Sequence, residues 1–325
     1  MPDHPLLATH GGKALLATHS GKFHCDEVFA YVVLRLALGL EPGNHTLVRT
    51  RDPAVIASAD WVWDVGSIYD PAARRFDHHQ RGAPVRPDGT PFSAAGLVWQ
   101  SHGRDAIAAL LRPRGAEGFA AAIADELDRT VVRRIDEVDN GVATTRDSLG
   151  FTALIGEFNP NWDDAEPDAA ADAAFLQAAA MAQGFLTRRV DGLRARMSAE
   201  AVVVAAHAAS ADPRVLVLAR GMPWHGAVFA HALPVLFAVY PVANGNWMVD
   251  AMPPEPGSFA QRLPLPAAWA GLQDAVLAAT CGVPDAVFVH LRRFVGAARS
   301  RDGALAMAAG AMAEGTTAAG EITAG

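Results

Sequence analysis

The segment "THSGKFHCDE", Thr18–Glu27, places two histidines, a cysteine and two acids within ten residues. Further along, Asp64 closes the apolar run "WVWDV", and Asp77, His78 and His79 stand together in "RRFDHHQ". Imidazoles combined with several carboxylates, and with no paired thiolates, suit Mn²⁺, Mg²⁺ or Fe²⁺ better than a structural zinc. Asp64 is the residue expected to serve two ions at once, because one carboxylate can bridge metals held about 3.5–4 Å apart in phosphoryl-transfer sites. His24 and Asp26 lie two apart at a helix start, a spacing expected to make their side chains diverge and feed different ions. Cys25, inside the cluster, reads as a small buried residue rather than a ligand or nucleophile, since no histidine is spaced to activate it. Taken singly, Asp64 could be a strand-end cap and His78–His79 a surface pair. Their shared place in the fold is what points to a metal centre.

That place follows from the elements. "ALLATH" reads as a buried strand, and Asp26 to Leu40 as a helix closed by Gly39 and Pro42. "HTLVRT" and "DWVWDVG" are the next strands, "YDP" a turn, and "ARRFDHHQ" a fourth short extended piece. Helices are expected over Ser93–Leu111 and from Glu117 to about Asp139. Strands alternating with helices predict an α/β layer with a mainly parallel sheet, in which ligands bind beyond the carboxyl ends of the strands. His19, Asp64 and Asp77–His79 all follow strands, and His24 and Asp26 sit where free helix N–H groups favour an anion.

After Gly150 comes the loop "EFNPNWDDAEPD", then an Ala-rich helical segment from about Asp168 to Ala209. It is either one long connector or two pieces broken near Gly184 and Gly192. "RVLVLAR", "PVLFAVYP", "NWMVDAMP" and "AVFVH" read as strands, with helices over Gln273–Thr280 and Arg301–Ala313 and a fraying tail after Met312. The expected division is a catalytic domain over residues 13–165, then a helical connector and smaller α/β substrate-binding domain over 166–325.

With 325 residues the chain exceeds what one core usually spans, and an apolar share of 51% is ordinary for a soluble globular protein. The net charge of −8 argues against a protein that coats nucleic acid by neutralising phosphates, but not against an enzyme that meets phosphates through metal. Lysine occurs only at Lys13 and Lys22, arginine carrying the rest of the basic charge. The longest apolar run is interrupted by Arg35 and no export signal is visible, so a cytoplasmic protein with reduced Cys25 and Cys281 and no membrane partner is expected.

In order, "THSGKFHCDE", "DVG" with "YDP", "RRFDHHQ" and "IDEVDNG" resemble the motifs of the melanocyte-proliferating-gene family, within the DHH phosphoesterase superfamily. The likeness continues through "EFNPNW", Pro223–Trp224, "SFAQRLPLPAAWAGL" and "VFVHLRRFVG". The resemblance implies a DHH-type N-terminal domain and a metal-dependent 3′→5′ RNA exonuclease with two divalent ions, Mn²⁺ foremost. It gives one ion to His19, His24 and Asp64, and the second to Asp26, Asp64, His78 and an acid of "IDEVDNG". His79 would face the phosphate and Asp77 would orient the histidine pair. Of the two acids three residues apart, Asp139 is expected as the ligand because "DNG" marks the helix exit, with Asp136 a supporting or capping partner. His24 stands where many superfamily members carry aspartate. Arg262 and His290, with Arg293 as a third, are expected to grip the substrate backbone, the second domain folding over the metal rim. His225, where lysine is expected, and the basic pair Arg292–Arg293 depart from the family pattern. The implied partner is single-stranded RNA or a short oligonucleotide; a homodimer stays open. The rival readings are a hydrolase of small phosphate compounds (short oligonucleotides, dinucleotides or pyrophosphate) and a non-catalytic metal-binding regulatory protein.

Overall fold

The structure is a computed structural model that describes residues 13–145, 147–164 and 167–322. The chain divides into two compact units, Met1–Arg194 and Ala195–Gly325.

In the first unit the apolar run before the ligand cluster forms β1 (Ala14–Thr18), and the run after it forms α1 (Cys25–Leu38). The helix is apolar all round because Val28–Leu34 are all buried. It stops where Gly39 adopts a left-handed φ of 64° and its N–H turns back to the Arg35 and Leu36 carbonyls. Then come β2 (His45–Arg49), α2 (Pro53–Ser58), β3 (Trp61–Trp63), β4 (Tyr69–Asp70) and β5 (Arg75–Phe76). The sheet runs β2-β1-β3-β5-β4; every pairing is parallel except β4 with β5. The expected "YDP" turn thus includes a short antiparallel strand, Tyr69 pairing with Phe76.

α3 (Ala94–Leu111) packs along α1, and Ile56 of α2 packs on Ala17 and Val62. α4 (Ala120–Leu127) runs into a widened, π-helical stretch at Asp128–Val132, where the Arg133 N–H bonds the carbonyl of Asp128, and then into α5 (Arg133–Asp139). α6 is Phe151–Gly156. α7 (Pro167–Ala208) is one unbroken helix of 42 residues; Gly184 and Gly192 do not interrupt it, and the boundary between the units falls inside it.

The second unit contains β6 (Val215–Val217), α8 (His225–Ala230), β7 (Phe237–Pro241), β8 (Trp247–Ala251), α9 (Asp274–Cys281), β9 (Ala286–Val289), β10 (Val295–Ala298) and α10 (Arg301–Ile322). Its sheet, β6-β7-β8-β10-β9, is antiparallel except for β6 with β7. Side chains alternate across it: Val215, Phe237 and Val239 meet Leu277 and Met307 on one face, while Leu216, Ala238 and Leu218 meet Val203, Val228 and Trp224 on the other. α10 continues to Ile322 where a fraying tail was expected after Met312. Among the described residues no helix is long and apolar enough to cross a membrane.

Candidate metal centre

β1, β3 and β5 are parallel neighbours, so their carboxyl ends share one rim. His19 follows β1, Asp64 follows β3, and Asp77–His79 follow β5. His24 is the N-cap of α1, and Asp139 is the last residue of α5. Asp64 takes a left-handed φ of 58°, a region that aspartate tolerates better than most side chains.

Three groups of donors lie with their atoms within 4.8 Å of one another: Asp64, His78 and His79; His19, Glu27 and Asp64; His24, Asp26 and Asp139. Asp64 belongs to two of them. Its Oδ1 is 3.2 Å from His78 Nε2, and its Oδ2 is 3.3 Å from His19 Nε2. His78 Nε2 also approaches Asp139 Oδ2 at 3.4 Å and Asp26 Oδ2 at 3.9 Å. His24 and Asp26, expected to diverge, converge with Asp139 in one group. His19 and Asp64 are joined instead by Glu27, whose Oε1 lies 2.9 Å from His19 Nε2 and whose Oε2 accepts from Thr18 Oγ1 at 2.9 Å. Glu27 escapes a sequence reading because an acid at the third position of a helix signals capping. It does cap α1, accepting from the His24 N–H at 3.3 Å, and it faces the cluster as well.

Electrostatics favour a cation here. Burial, with Asp64 and Asp139 close by, pushes the Asp26 carboxyl well above the usual carboxylate range. Burial likewise raises Asp139, Asp64 adding to it. Burial would also raise Asp64, but hydrogen bonds from His19 and His78 override it and hold Asp64 at about 2. Burial would lower His19, yet its bonds to Asp64 and Glu27 lift it to about 10. Among the described residues no arginine or lysine pairs with Asp26, Asp64 or Asp139, and Asp26 Oδ1 is buried without any hydrogen-bond donor. Buried carboxylates lacking a cationic partner, beside imidazoles, are the donor set a hard or borderline divalent ion completes.

Asp77 accepts from the His78 backbone N–H at 2.7 Å and from His79 Nδ1 at 2.6 Å, fixing the His79 ring and the backbone that carries His78. Asp136 is turned away from the cluster. Its oxygens accept from Ser93 N and Oγ at 3.0 and 2.7 Å and from Arg86 Nε at 2.7 Å, at the start of α3. A Cβ on Gly96 would fall 2.5 Å from Asp136 Oδ1, so only glycine lets α3 come this close. Asn159, from "EFNPNW", clamps both backbone groups of Phe23 at 2.9 Å, just before His24.

The model of a family described as "Uncharacterised protein family (UPF0160)", MYG1_exonuc, matches residues 15–312. The chain is 33% identical to the MYG1 exonuclease of Homo sapiens over 326 residues, covering 92% of this chain and 86% of the relative. It is 28% identical to the MYG1 protein of Dictyostelium discoideum over 315 residues, with 90% and 94% covered. The chain belongs to the MYG1 family. The resemblance to melanocyte-proliferating-gene motifs therefore holds along nearly the whole chain. No solved structure matches it.

Within this MYG1-family chain, the three expected substrate residues of the second unit are placed as follows. Arg262 Nη1 donates to the Leu233 and Val235 carbonyls at 2.8 and 3.0 Å and its guanidinium lies over the Phe229 ring, so part of its donor fork ties down backbone. His290 is exposed, lies tilted against the Phe294 ring, and accepts from the Arg292 N–H at 3.0 Å. Arg293 occupies a left-handed turn between β9 and β10, with Nη1 3.4 Å from the Leu265 carbonyl. His225 stacks on Trp224, and burial lowers its pKa.

Proposed function

We propose that this chain is a metal-dependent phosphodiesterase, a 3′→5′ exoribonuclease of the DHH phosphoesterase kind working with two divalent ions, Mn²⁺ foremost. Asp64 carries the reading: its two oxygens face His78 and His19 separately, at 3.2 and 3.3 Å, as a carboxylate shared by two cations must. The name "MYG1 exonuclease", borne by the Homo sapiens relative, supports the exonuclease part.

Asp26, His78, Asp139 and Asp64 Oδ1 would hold one ion, with His24 beside them; His19, Glu27 and Asp64 Oδ2 would hold the other. Bound ions supply Lewis acidity and a nucleophile from water at neutral pH. The remaining work falls to the chain. Asp77 takes the Nδ1 side of His79 and thereby raises its pKa, so the exposed Nε2 side is left protonated to donate to a phosphate oxygen as charge develops there. Thr18 and the His24 N–H hold Glu27, which in turn holds His19 against the rim.

The direct test is turnover of 5′-labelled single-stranded RNA. Stepwise shortening from the 3′ end is expected with Mn²⁺ and none after chelation. Hydrolysis confined to pyrophosphate or dinucleotides would transfer the assignment to a small-phosphate hydrolase. The two acids of "IDEVDNG" should separate cleanly. Asp139→Asn is expected to weaken Mn²⁺ binding at least about 10–100-fold, read by titration calorimetry. Asp136→Asn should instead lower the melting temperature while leaving Mn²⁺ affinity near that of the parent. The opposite pattern would exchange their roles.

A further inference from the structure

A second cavity, of about 1120 Å³, adjoins the metal centre within the first unit. It shares Lys22, His24 and Asp139 with the smaller cavity of about 390 Å³ in front of the metal-side carboxylates. A phosphate seated at the carboxylates would therefore have one of its substituents at the mouth of the larger space. The lining there changes character. Phe151 of α6 and Phe185 of α7 stack with ring centroids 4.4 Å apart and planes inclined by 21°, and Val131 and Ile135 lie in the same wall. Both rings are only half buried. Cleaving a phosphodiester needs no such aromatic wall.

We propose that this cavity seats the nucleoside next to the scissile phosphate, its base against the Phe151–Phe185 pair and its phosphate held at the shared wall by Lys22. The proposal rests on the phosphodiesterase reading and adds the subsite that recognises the end of the substrate. Three observations favour this occupant. The cavity is continuous with the place where a phosphate would sit. It combines an apolar wall with polar groups, as small-ligand sites do, at a volume just above their usual range. An aromatic pair accepts any base, because every base has a π-face, which suits an enzyme that removes nucleotides irrespective of sequence. Lys22 fits the same picture. Only two of the chain's 27 basic residues are lysines, and one of them stands at this wall. A compact ammonium there can neutralise a phosphate without laying a planar guanidinium across the opening.

The test compares single-stranded RNA ending in a 3′ adenosine with the same strand ending in an abasic residue. The wild-type chain is expected to lose roughly tenfold in kcat/KM on the abasic strand, the size of one base–aromatic stack. Phe185→Ala should cleave both strands with nearly equal kcat/KM, and Phe185→Leu, which keeps apolar bulk, covers the case in which the alanine variant does not fold. Indifference of the wild type to the terminal base, or full discrimination surviving in the folded Phe185 variant, overturns the subsite. Binding of AMP, followed by calorimetry, separates this proposal from the reading beneath it. If no strand is cleaved, the phosphodiesterase reading falls, yet AMP binding weakened roughly tenfold by Phe185→Leu still supports the pocket. Absence of AMP binding to the wild type overturns it.

Discussion

Asp64→Ala is expected to lower turnover by on the order of a thousandfold, equivalent to about 4 kcal/mol of barrier. No other donor can compensate, because one residue supplies an oxygen to each side of the centre: 3.2 Å to His78 and 3.3 Å to His19. Removing it also leaves His19 Nε2 with Glu27 as its one carboxylate and His78 with Asp139 and the more distant Asp26. Both ions should be lost together. Metal content measured by mass spectrometry after dialysis checks this, and a variant that retains its full load would end the bridging assignment. Alanine at the left-handed φ of 58° adds about 1 kcal/mol of backbone strain. Asp64→Asn tolerates that conformation and is the control for folding; it should lose metal and turnover to a similar degree.

The second large effect concerns stability. Arg86→Met is expected to destabilise the first unit by about 3–5 kcal/mol, the cost of stranding a buried charge. Arg86 grips Asp128 with two parallel bonds of 2.7 and 2.9 Å and Asp136 with a third of 2.7 Å. Asp136 is fully buried and burial already lifts its pKa, although Ser93 and Arg86 oppose that rise. Without the guanidinium the rise grows. A carboxyl raised in the folded state binds more protons than its unfolded form, so stability is lost as pH climbs from the unfolded value near 3.8 through the folded one. The urea midpoint lost by Arg86→Met at pH 7 should therefore return in part near pH 4, and Arg86→Met with Asp136→Asn should recover some of it at pH 7. An equal loss at both pH values would show that packing of the Arg86 stem, not its charge, is what matters.

Much of this was legible in the residues. The rim could be located because β1, β3 and α1 are apolar runs ended by polar residues, and such runs leave few alternatives for where the chain turns. The "DNG" exit favoured Asp139 over Asp136; the structure turns Asp136 toward Ser93 and Arg86 and brings Asp139 to 3.4 Å from His78. What stayed hidden depends on contacts distant in sequence. Arg86, in a stretch rich in glycine and proline, looks like a solvated loop arginine until the folded chain brings Asp128 and Asp136 around it, 42 and 50 residues away. Glu27 has a complete local explanation as a cap, which masks its contact with His19. β10, "VGAA", has little β-propensity of its own and exists because β8 and β9 pair with it on either side. α10 outruns its expected end because Ala and Glu sustain the winding that its glycines and threonines weaken.

The widened helical stretch at Asp128–Val132 has a consequence for how the site tolerates a change of chain length. An expanded turn accommodates about one residue more than ordinary winding within the same rotation. Deleting a single residue there would let the helix rewind to its normal pitch and stay helical. The five widened residues turn about as far as four at ordinary pitch, so Asp136 and Asp139 would keep their bearing on the axis. Asp136 would stay at Arg86 and Ser93, and Asp139 at the rim. The widened turn is slack in the helix, one residue deep. A one-residue deletion in this segment is thus a change of length that the candidate metal centre can absorb.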